Sequence, residues 1–388
     1  MSQPKIAIFL GAGFSKAADL PVMSEFAKYS ESQLQSMKQK HGPGSLSPRN
    51  AAPHLIHNGE IYESFRQHLN NMAPIKLSSF SADNMEHLFT MAEMMLNCNF
   101  PDINLNGQNR SLPEIMFAIK LWLWKIFQRI PIHNPSRYKI TIEPYNIFIE
   151  SLSQYGLNDI SIITTNYDMV VEYLFNQHGV QVCYPISEKN VEFNDLCNPD
   201  IRIASGLSSY GITAPILCKL HGSINFFSER TYNDKKLHVV ADTAQSRIGK
   251  SKISANAPSI MAVDAFHELF EKRDLVPEII PPSYAKLRAN DWLREIWKYA
   301  AESFINAQKW IFIGYSFPST DGFMRSLINL ALMSRKSALP EVTIIDPDDN
   351  DGSVKNNYIQ VFGSKHFSFL KTSFTDFITS GEVHNVII

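Results

Sequence analysis

Cysteine is scarce here: Cys98, Cys183, Cys197 and Cys218 are spread over 388 residues with no C-x-x-C pair among them. That spacing argues against a disulfide framework or a structural zinc ribbon, and it fits a reducing compartment. Long hydrophobic runs are missing as well. The most apolar helix candidate, Ile115 to Ile126, is too short to span a bilayer and carries Lys120 and Lys125. The opening MSQPKIAIF lacks the charged and long apolar regions of a secretory signal, so a cytoplasmic protein without a membrane partner is expected. Charge of one sign is absent too. A net charge of -2, with no basic run beyond short pieces such as Lys235-Lys236, gives no push towards direct sequence-specific nucleic-acid binding. Internal repeats and low-complexity tracts are also lacking.

What is present is an ordinary globular composition, 44% apolar and 19% charged, in a chain longer than the usual single domain. Short apolar runs at Lys5–Leu10, Ile160–Thr165, Gln181–Tyr184, Pro215–Leu220, Lys309–Tyr315 and Glu341–Asp346 read as buried parallel strands. Helical stretches separate several of them. The expected fold is α/β, a Rossmann-like doubly wound parallel sheet with a large helical insertion. Residues 1–20 and 151–388 form the core, and 21–150 the helical insertion, with a polar loop over Lys38–Asn50. Residues 225–307 form a second insertion, polar and mobile at first, then amphipathic over Asn290–Ala307. The helix MFAIKLWLWKIF, apolar nearly all round, is core or an oligomer contact.

Four strand ends carry chemistry. The first strand runs into Gly11-Ala12-Gly13, where missing Cβ atoms permit a sharp turn and close approach of a pyrophosphate to helix amides. Lys16 stands where a full dinucleotide fingerprint has its third glycine, and a ligand-free tight turn reads equally well. The second strand ends at Thr164-Thr165, with Asn166, Tyr167 and Asp168 where the next helix starts; Asn166 or Asp168 either meets a ligand or caps the helix beginning near Met169. The third ends in His221-Gly222, a location for a general base with glycine for access, or a satisfied structural histidine. The fourth ends in Gly314-Tyr315-Ser316, and the strand after it in Asp346, a ribose ligand or a turn former before Pro347.

Together, GAGFS, TTNYD, KLHGS and GYSF resemble the sirtuin family in identity and order, from the N-terminus to about Asp346. The resemblance implies a sheet that binds NAD across its carboxyl edge. It implies catalytic roles for Asn166, His221 and Asp168, with Gly11, Ala12, Gly13, Ser15, Thr165, Gly314, Ser316 and Asp346 against the dinucleotide. The departures point to the chemistry. Deacylase-type sirtuins carry a four-cysteine zinc module between the His-Gly and Gly-x-Ser motifs, whereas residues 222–313 contain no cysteine; no zinc is expected. Their peptide-pairing strand corresponds here to LVPEIIPPSYAK, residues 275–286, where Pro277, Pro281 and Pro282 remove ladder donors. The first loop also lacks the Pro-Asp-Phe-Arg of deacylases.

The chain then looks like the bacterial antiphage branch, whose members hydrolyse NAD: Thoeris-type proteins, Argonaute-associated effectors and partners of HerA-type ATPases. The resemblance implies an NAD hydrolase with NAD as substrate, a homo-oligomer working with a HerA-type ATPase. The helical insertion is the expected oligomer interface. The tail Val386-Ile387-Ile388 is a partner contact or lies on its own core. Two rival functions are an NAD-dependent deacylase without zinc and a non-catalytic NAD or ADP-ribose sensor.

Overall fold

Residues IAIFL are buried at every position, the pattern of a strand covered on both faces. In the computed structural model they form β1 (Ile6–Leu10), near the middle of an eight-stranded sheet. The structure describes residues 5–22, 25–41, 52–72, 81–128, 141–180, 182–191, 202–203, 214–229, 237–239, 270, 274–281, 290–318, 321–336, 338–348 and 352–387. A small hairpin, β2 (Ile103–Leu105) with β3 (Gln108–Arg110), interrupts the helices that follow β1. The chain re-enters the main sheet as β4 (Ile160–Thr164), β5 (Cys183–Tyr184), β6 (Arg202–Ile203) and β7 (Ile216–Lys219). Next come β8 (Gly222–Glu229), β9 (His238–Val239) and β10 (Leu275–Ile279), an antiparallel sheet in the order β10-β8-β9. Finally β11 (Lys309–Ile313), β12 (Glu341–Ile345) and β13 (Ser368–Leu370) extend the main sheet on its other side.

The main sheet reads β13-β12-β11-β1-β4-β7-β5-β6, and its pairings are parallel. The chain grows outward from β1 through β4 to one side and through β11 to the other. The reversal therefore falls between β1 and β11. In open α/β sheets a crevice forms at such a point, beyond the carboxyl ends of the strands. The expected doubly wound sheet is present, and six sequence-predicted strands lie in it. Gln181, from one of them, lies outside the described residues. β6, β13, the β2–β3 hairpin and the small antiparallel sheet were not anticipated.

Between β1 and β4 the chain is helical over Phe26–Lys40, Ala52–Met72, Met85–Asn97, Leu112–Phe127 and Glu143–Tyr155. Local signals start these helices. Asn84 Oδ1 accepts from the Glu86 and His87 amides, and Ser111 Oγ accepts from Glu114, with Pro113 in the first turn. The Leu112–Phe127 helix buries Trp122 and Trp124 inside this chain, so its apolar surface is core. Truncating one such buried tryptophan to alanine would cost about 3–5 kcal/mol. Trp122 Nε1 also donates to Ser30 Oγ at 2.8 Å, tying two helices of the segment together.

Helix Phe26–Lys40 runs into the predicted loop; positions 42–50 of that loop lie outside the described residues. So does the polar part of the second insertion except 237–239. Its amphipathic part is the helix Asp291–Asn306, which turns Trp292, Ile296, Trp297, Ala300 and Phe304 onto the core. At the chain's end Ile387 is fully buried and Lys309 Nζ donates to the Val386 carbonyl at 2.9 Å, so these tail residues lie on their own core. Ile388 is outside the described residues.

Candidate functional site

Strand register brings the motifs together. Leu10 pairs with Ile313 on one side and Thr164 on the other, Ile313 with Ile345, and Thr164 with Lys219. One residue further on, Asp346, Gly314, Gly11, Thr165 and Leu220 follow these pairs at five neighbouring strand ends. Asn166 and His221 come one residue later, on adjacent strands. Motifs more than 300 positions apart in the chain thus meet along one edge of the sheet.

The two glycine motifs interlock. A Cβ on Gly11 would lie 2.4 Å from the Gly314 carbonyl oxygen, and one on Gly13 would lie 2.7 Å from Gly314 Cα. Gly314, at φ +62°, returns the constraint: its Cβ would lie 2.6 Å from Gly13 Cα. Hydrogen bonds close the joint, with the Gly11 amide donating to the Ile313 carbonyl and the Gly13 amide to the Gly314 carbonyl, both at 2.9 Å. These glycines therefore serve main-chain packing between two loops, and those two amides already have acceptors. Below the loop, Tyr145 Oη donates to the Phe14 carbonyl at 2.6 Å. Lys16, in place of the third fingerprint glycine, points outward and pairs with Glu25 at 2.9 Å.

Asn166 is half-buried and held from the same loop. Its Nδ2 donates to the Gly11 carbonyl at 2.8 Å and to Ser15 Oγ at 2.9 Å, while its amide donates to Thr164 Oγ1 at 3.0 Å. Thr164 Oγ1 in turn donates to the Leu10 carbonyl at 2.7 Å. Both Nδ2 hydrogens are engaged, which orients the side-chain oxygen as the group left to accept a bond. Ser15 is buried, so it acts on Asn166 from behind. Ala12, Gly13, Thr165 and Gly314 are half-buried, and Ser316 is exposed.

Asp168 is buried, and its Oδ1 accepts from the Val170 amide at 3.0 Å, at the start of the helix Val170–Gln177. The side chain closes a turn just ahead of the helix, whose N-cap is Met169. Asn166 takes its orientation from Gly11 and Ser15. Behind Asp168 sits a buried polar cluster: Lys219 Nζ donates to the Asp168 carbonyl and lies 3.4 Å from Glu172 Oε1, which accepts from Tyr184 Oη at 2.9 Å. Burial pushes the Glu172 carboxyl above the usual range, and the Lys219 charge partly opposes it. Asp346 Oδ1 accepts from the Asp348 amide at 2.9 Å, which realises the turn-forming role before Pro347.

His221 is buried. Its carbonyl accepts from the Ile280 amide at 2.9 Å, and its ring lies between Trp297 and Tyr167, at centroid distances of 6.5 and 6.3 Å. Trp297 Nε1 donates to the Leu220 carbonyl at 2.8 Å, pinning the end of β7. Gly222 is required by packing: at φ +76°, its Cβ would lie 1.8 Å from the Glu278 carbonyl oxygen of β10. Access to the histidine was the sequence expectation; backbone approach of β10 is what the fold enforces. That strand contains Pro277, paired with Phe227 at the edge of the small sheet, an allowed place for a residue without an amide donor.

One residue escaped the sequence reading. Asp321, buried, caps the helix Gly322–Ser334 by accepting from Met324 at 3.2 Å, and its Oδ2 accepts from Tyr315 Oη at 2.9 Å. The same oxygen lies 3.8 Å from His221 Nε2. The available signal was an aspartate before glycine at a helix start, which says cap and nothing about histidine.

Glycine-interlocked loops at the switch point, with Asn166 and His221 at adjacent strand ends, mark the candidate site of a doubly wound α/β protein. A SIR2-like domain profile matches residues 160–370, more than half of the sequence, and the chain belongs to that family. No curated protein matches. Among solved structures, a Sir2 bound to the inhibitor EX-527, 2'-O-acetyl-ADP-ribose and deacetylated p53 peptide aligns at 9% identity, TM-score 0.36, over 99% of this chain and 94% of its own. Another, titled for the structural basis of sirtuin substrate affinity, aligns at 9% identity, TM-score 0.38, over 100% and 95%. Likeness this remote carries nothing about activity. Among the described residues no helix is long and apolar enough to cross a membrane, and no group of three or more His, Cys, Asp or Glu is placed to hold a metal ion.

Proposed function

We propose that this chain is an NAD hydrolase that cleaves the bond between nicotinamide and ribose. The observation that carries the reading is the placement of Asn166 and His221 on adjacent strand ends, beside the interlocked glycine loops at the switch point. NAD is the substrate. Its neutral nicotinamide departs with the bonding electrons while the ribose ring oxygen shares the positive charge. Water then adds to the ribose carbon and gives up one proton, leaving nicotinamide and ADP-ribose.

In this scheme half-buried Ala12, Gly13, Thr165 and Gly314, with exposed Ser316, lie against the dinucleotide. Asn166 offers its side-chain oxygen to the ribose hydroxyls or the incoming water, held in place by Gly11 and Ser15. His221 accepts the proton released by that water or by a ribose hydroxyl. Asp168 stabilises the developing positive charge electrostatically, and Asp346 holds the turn after β12. The resemblance to antiphage sirtuin-like proteins extends the proposal to a defence role by NAD depletion, in a homo-oligomer partnered by a HerA-type ATPase.

The test is to incubate the purified chain, alone and with any genetically linked ATPase, with NAD and to quantify nicotinamide and ADP-ribose. Turnover lost by 100-fold or more in His221→Ala and Asn166→Ala, on the order of general acid–base contributions, supports the reading. Unchanged turnover in both variants sinks it. O-acyl-ADP-ribose formed with an acylated peptide identifies a deacylase, and binding without turnover in either sample identifies a sensor.

A further inference from the structure

We infer that Asp321 is a positioning residue for His221, its carboxylate set to stabilise the imidazolium that forms when the histidine takes up a proton. The inference rests on His221 acting as the base of the proposed hydrolase. Two contacts fix this carboxylate: it caps the helix Gly322–Ser334 through the Met324 amide and accepts the Tyr315 hydroxyl from the loop after β11. Both it and the imidazole are nearly fully shielded from water, with side-chain exposures of 3% and 1%. At 3.8 Å their separation exceeds a hydrogen bond, yet it is an ion-pair distance once His221 carries a charge. Away from water such a pair is screened little. A base aligned by a third, acidic group is a recurrent arrangement in proton-transfer sites.

Helix capping alone is an incomplete account of this residue. A cap needs one oxygen, and Oδ1 supplies it to the Met324 amide. Oδ2 faces the other way, towards Tyr315 and His221. The Tyr315 backbone is fixed independently, because Tyr358 Oη donates to its carbonyl at 2.8 Å. Other titratable groups around this corner are Tyr315 on the β11 loop and Tyr167 on the β4 loop. Charges of Glu86 and Glu93, on the helix Met85–Asn97, also reach Tyr167, and that of Glu86 reaches Tyr315. Burial, reinforced by the Asp321 charge, holds the Tyr315 phenol well above its ordinary value, so Tyr315 remains a donor to Asp321 at physiological pH.

The experiment pairs an NMR titration of the His221 imidazole with nicotinamide release in Asp321→Asn, Asp321→Glu and Tyr315→Phe. Asparagine is as good a cap as aspartate, so Asp321→Asn removes the charge and keeps the helix start. The expected result is an imidazole midpoint lower by about one pH unit in Asp321→Asn, as for loss of an opposite charge within ~4–6 Å. A kcat about tenfold lower with little change in KM should accompany it, and Asp321→Glu should recover most of both. Tyr315→Phe, which removes the hydroxyl donated to the same oxygen, should move the midpoint upward, and it decides the matter if Asp321→Asn does not fold. An unmoved midpoint in Asp321→Asn, or in Tyr315→Phe if only that variant folds, overturns the inference. Hydrolysis of NAD with an unmoved midpoint rejects Asp321 and leaves the proposed function standing. A moved midpoint in a chain that releases no nicotinamide keeps the Asp321–His221 pairing and rejects the function.

Discussion

On the Gly11 side of the crevice, main chain meets main chain: Gly11 and Gly13 pack on Gly314 at distances that leave no room for a Cβ, and Asn166 hangs from a backbone carbonyl and a buried serine. Around His221 the neighbours are mostly side chains, with Trp297 and Tyr167 against the ring and Asp321 behind it; β10 alone presses backbone on Gly222. The first region is half-open and suits a ligand that is read by shape and by short polar contacts. The second is closed and suits a group whose proton affinity is set by its walls. The proposed hydrolase, which would fix a ribose and move one proton, calls on both kinds of construction.

Substitution of the glycines gives the sharpest test of that contrast. Gly222→Ala should be the more damaging, because it meets a backbone oxygen at 1.8 Å from a positive φ; a loss of ~3–5 kcal/mol is expected in denaturant unfolding. Gly11→Ala, with ordinary backbone angles and a 2.4 Å approach to Gly314, should cost about 2–3 kcal/mol. Equal, small losses in both variants would break the claim that main-chain contact governs these positions.

Alkaline pH probes the closed regions as a group. Burial holds the phenols of Tyr145, Tyr167, Tyr184, Tyr315 and Tyr358 well above the ordinary 10.0. The folded state keeps these protons more tightly than the unfolded chain does. Their contribution to stability is therefore whole below pH 10.0 and is lost as pH rises from there through the folded-state values. Tyrosinate absorbance should stay low for these five until the fold is lost; their ionisation near the ordinary value in folded protein would show that the walls are open to water.

The smallest expected effect belongs to Ser15→Ala. It removes one of the two acceptors for Asn166 Nδ2 and leaves the Gly11 carbonyl, so NAD turnover should drop about 3- to 10-fold, on the order of 1 kcal/mol for one hydrogen bond. A loss as large as that of Asn166→Ala would mean that Ser15 itself touches the substrate.

Much of this architecture was legible in the chain. Runs such as IAIFL and KWIFI announce strands buried on both faces, and glycines directly after them announce tight turns; both are local signals. The positions of Asn166 and His221 at strand ends followed from the same runs. Asp321 was illegible as a neighbour of His221, because a hundred residues separate them and only the insertion of β1 and β4 between β11 and β7 fixes how their loops meet. Gly222 was visible as a glycine, but its cause, the carbonyl of Glu278, comes from a proline-bearing strand whose pairing with β8 no local signal announces. Trp122 and Trp124 left core and interface equally open in the sequence, since an apolar helix looks the same in both settings; packing within the helical segment decided for core.

By itself, then, the sequence determined the elements, the order of the motifs and the residue types available for chemistry, because strand burial and turn formation depend on neighbours a few positions apart. Tertiary structure alone decided which of those residues touch: that the glycines serve each other's backbones, that Asp168 and Asp346 hold turns, and that Asp321 faces His221. Parallel pairing joins distant segments edge to edge, and the identity of the facing residue is set by register across the sheet, a property of the whole fold.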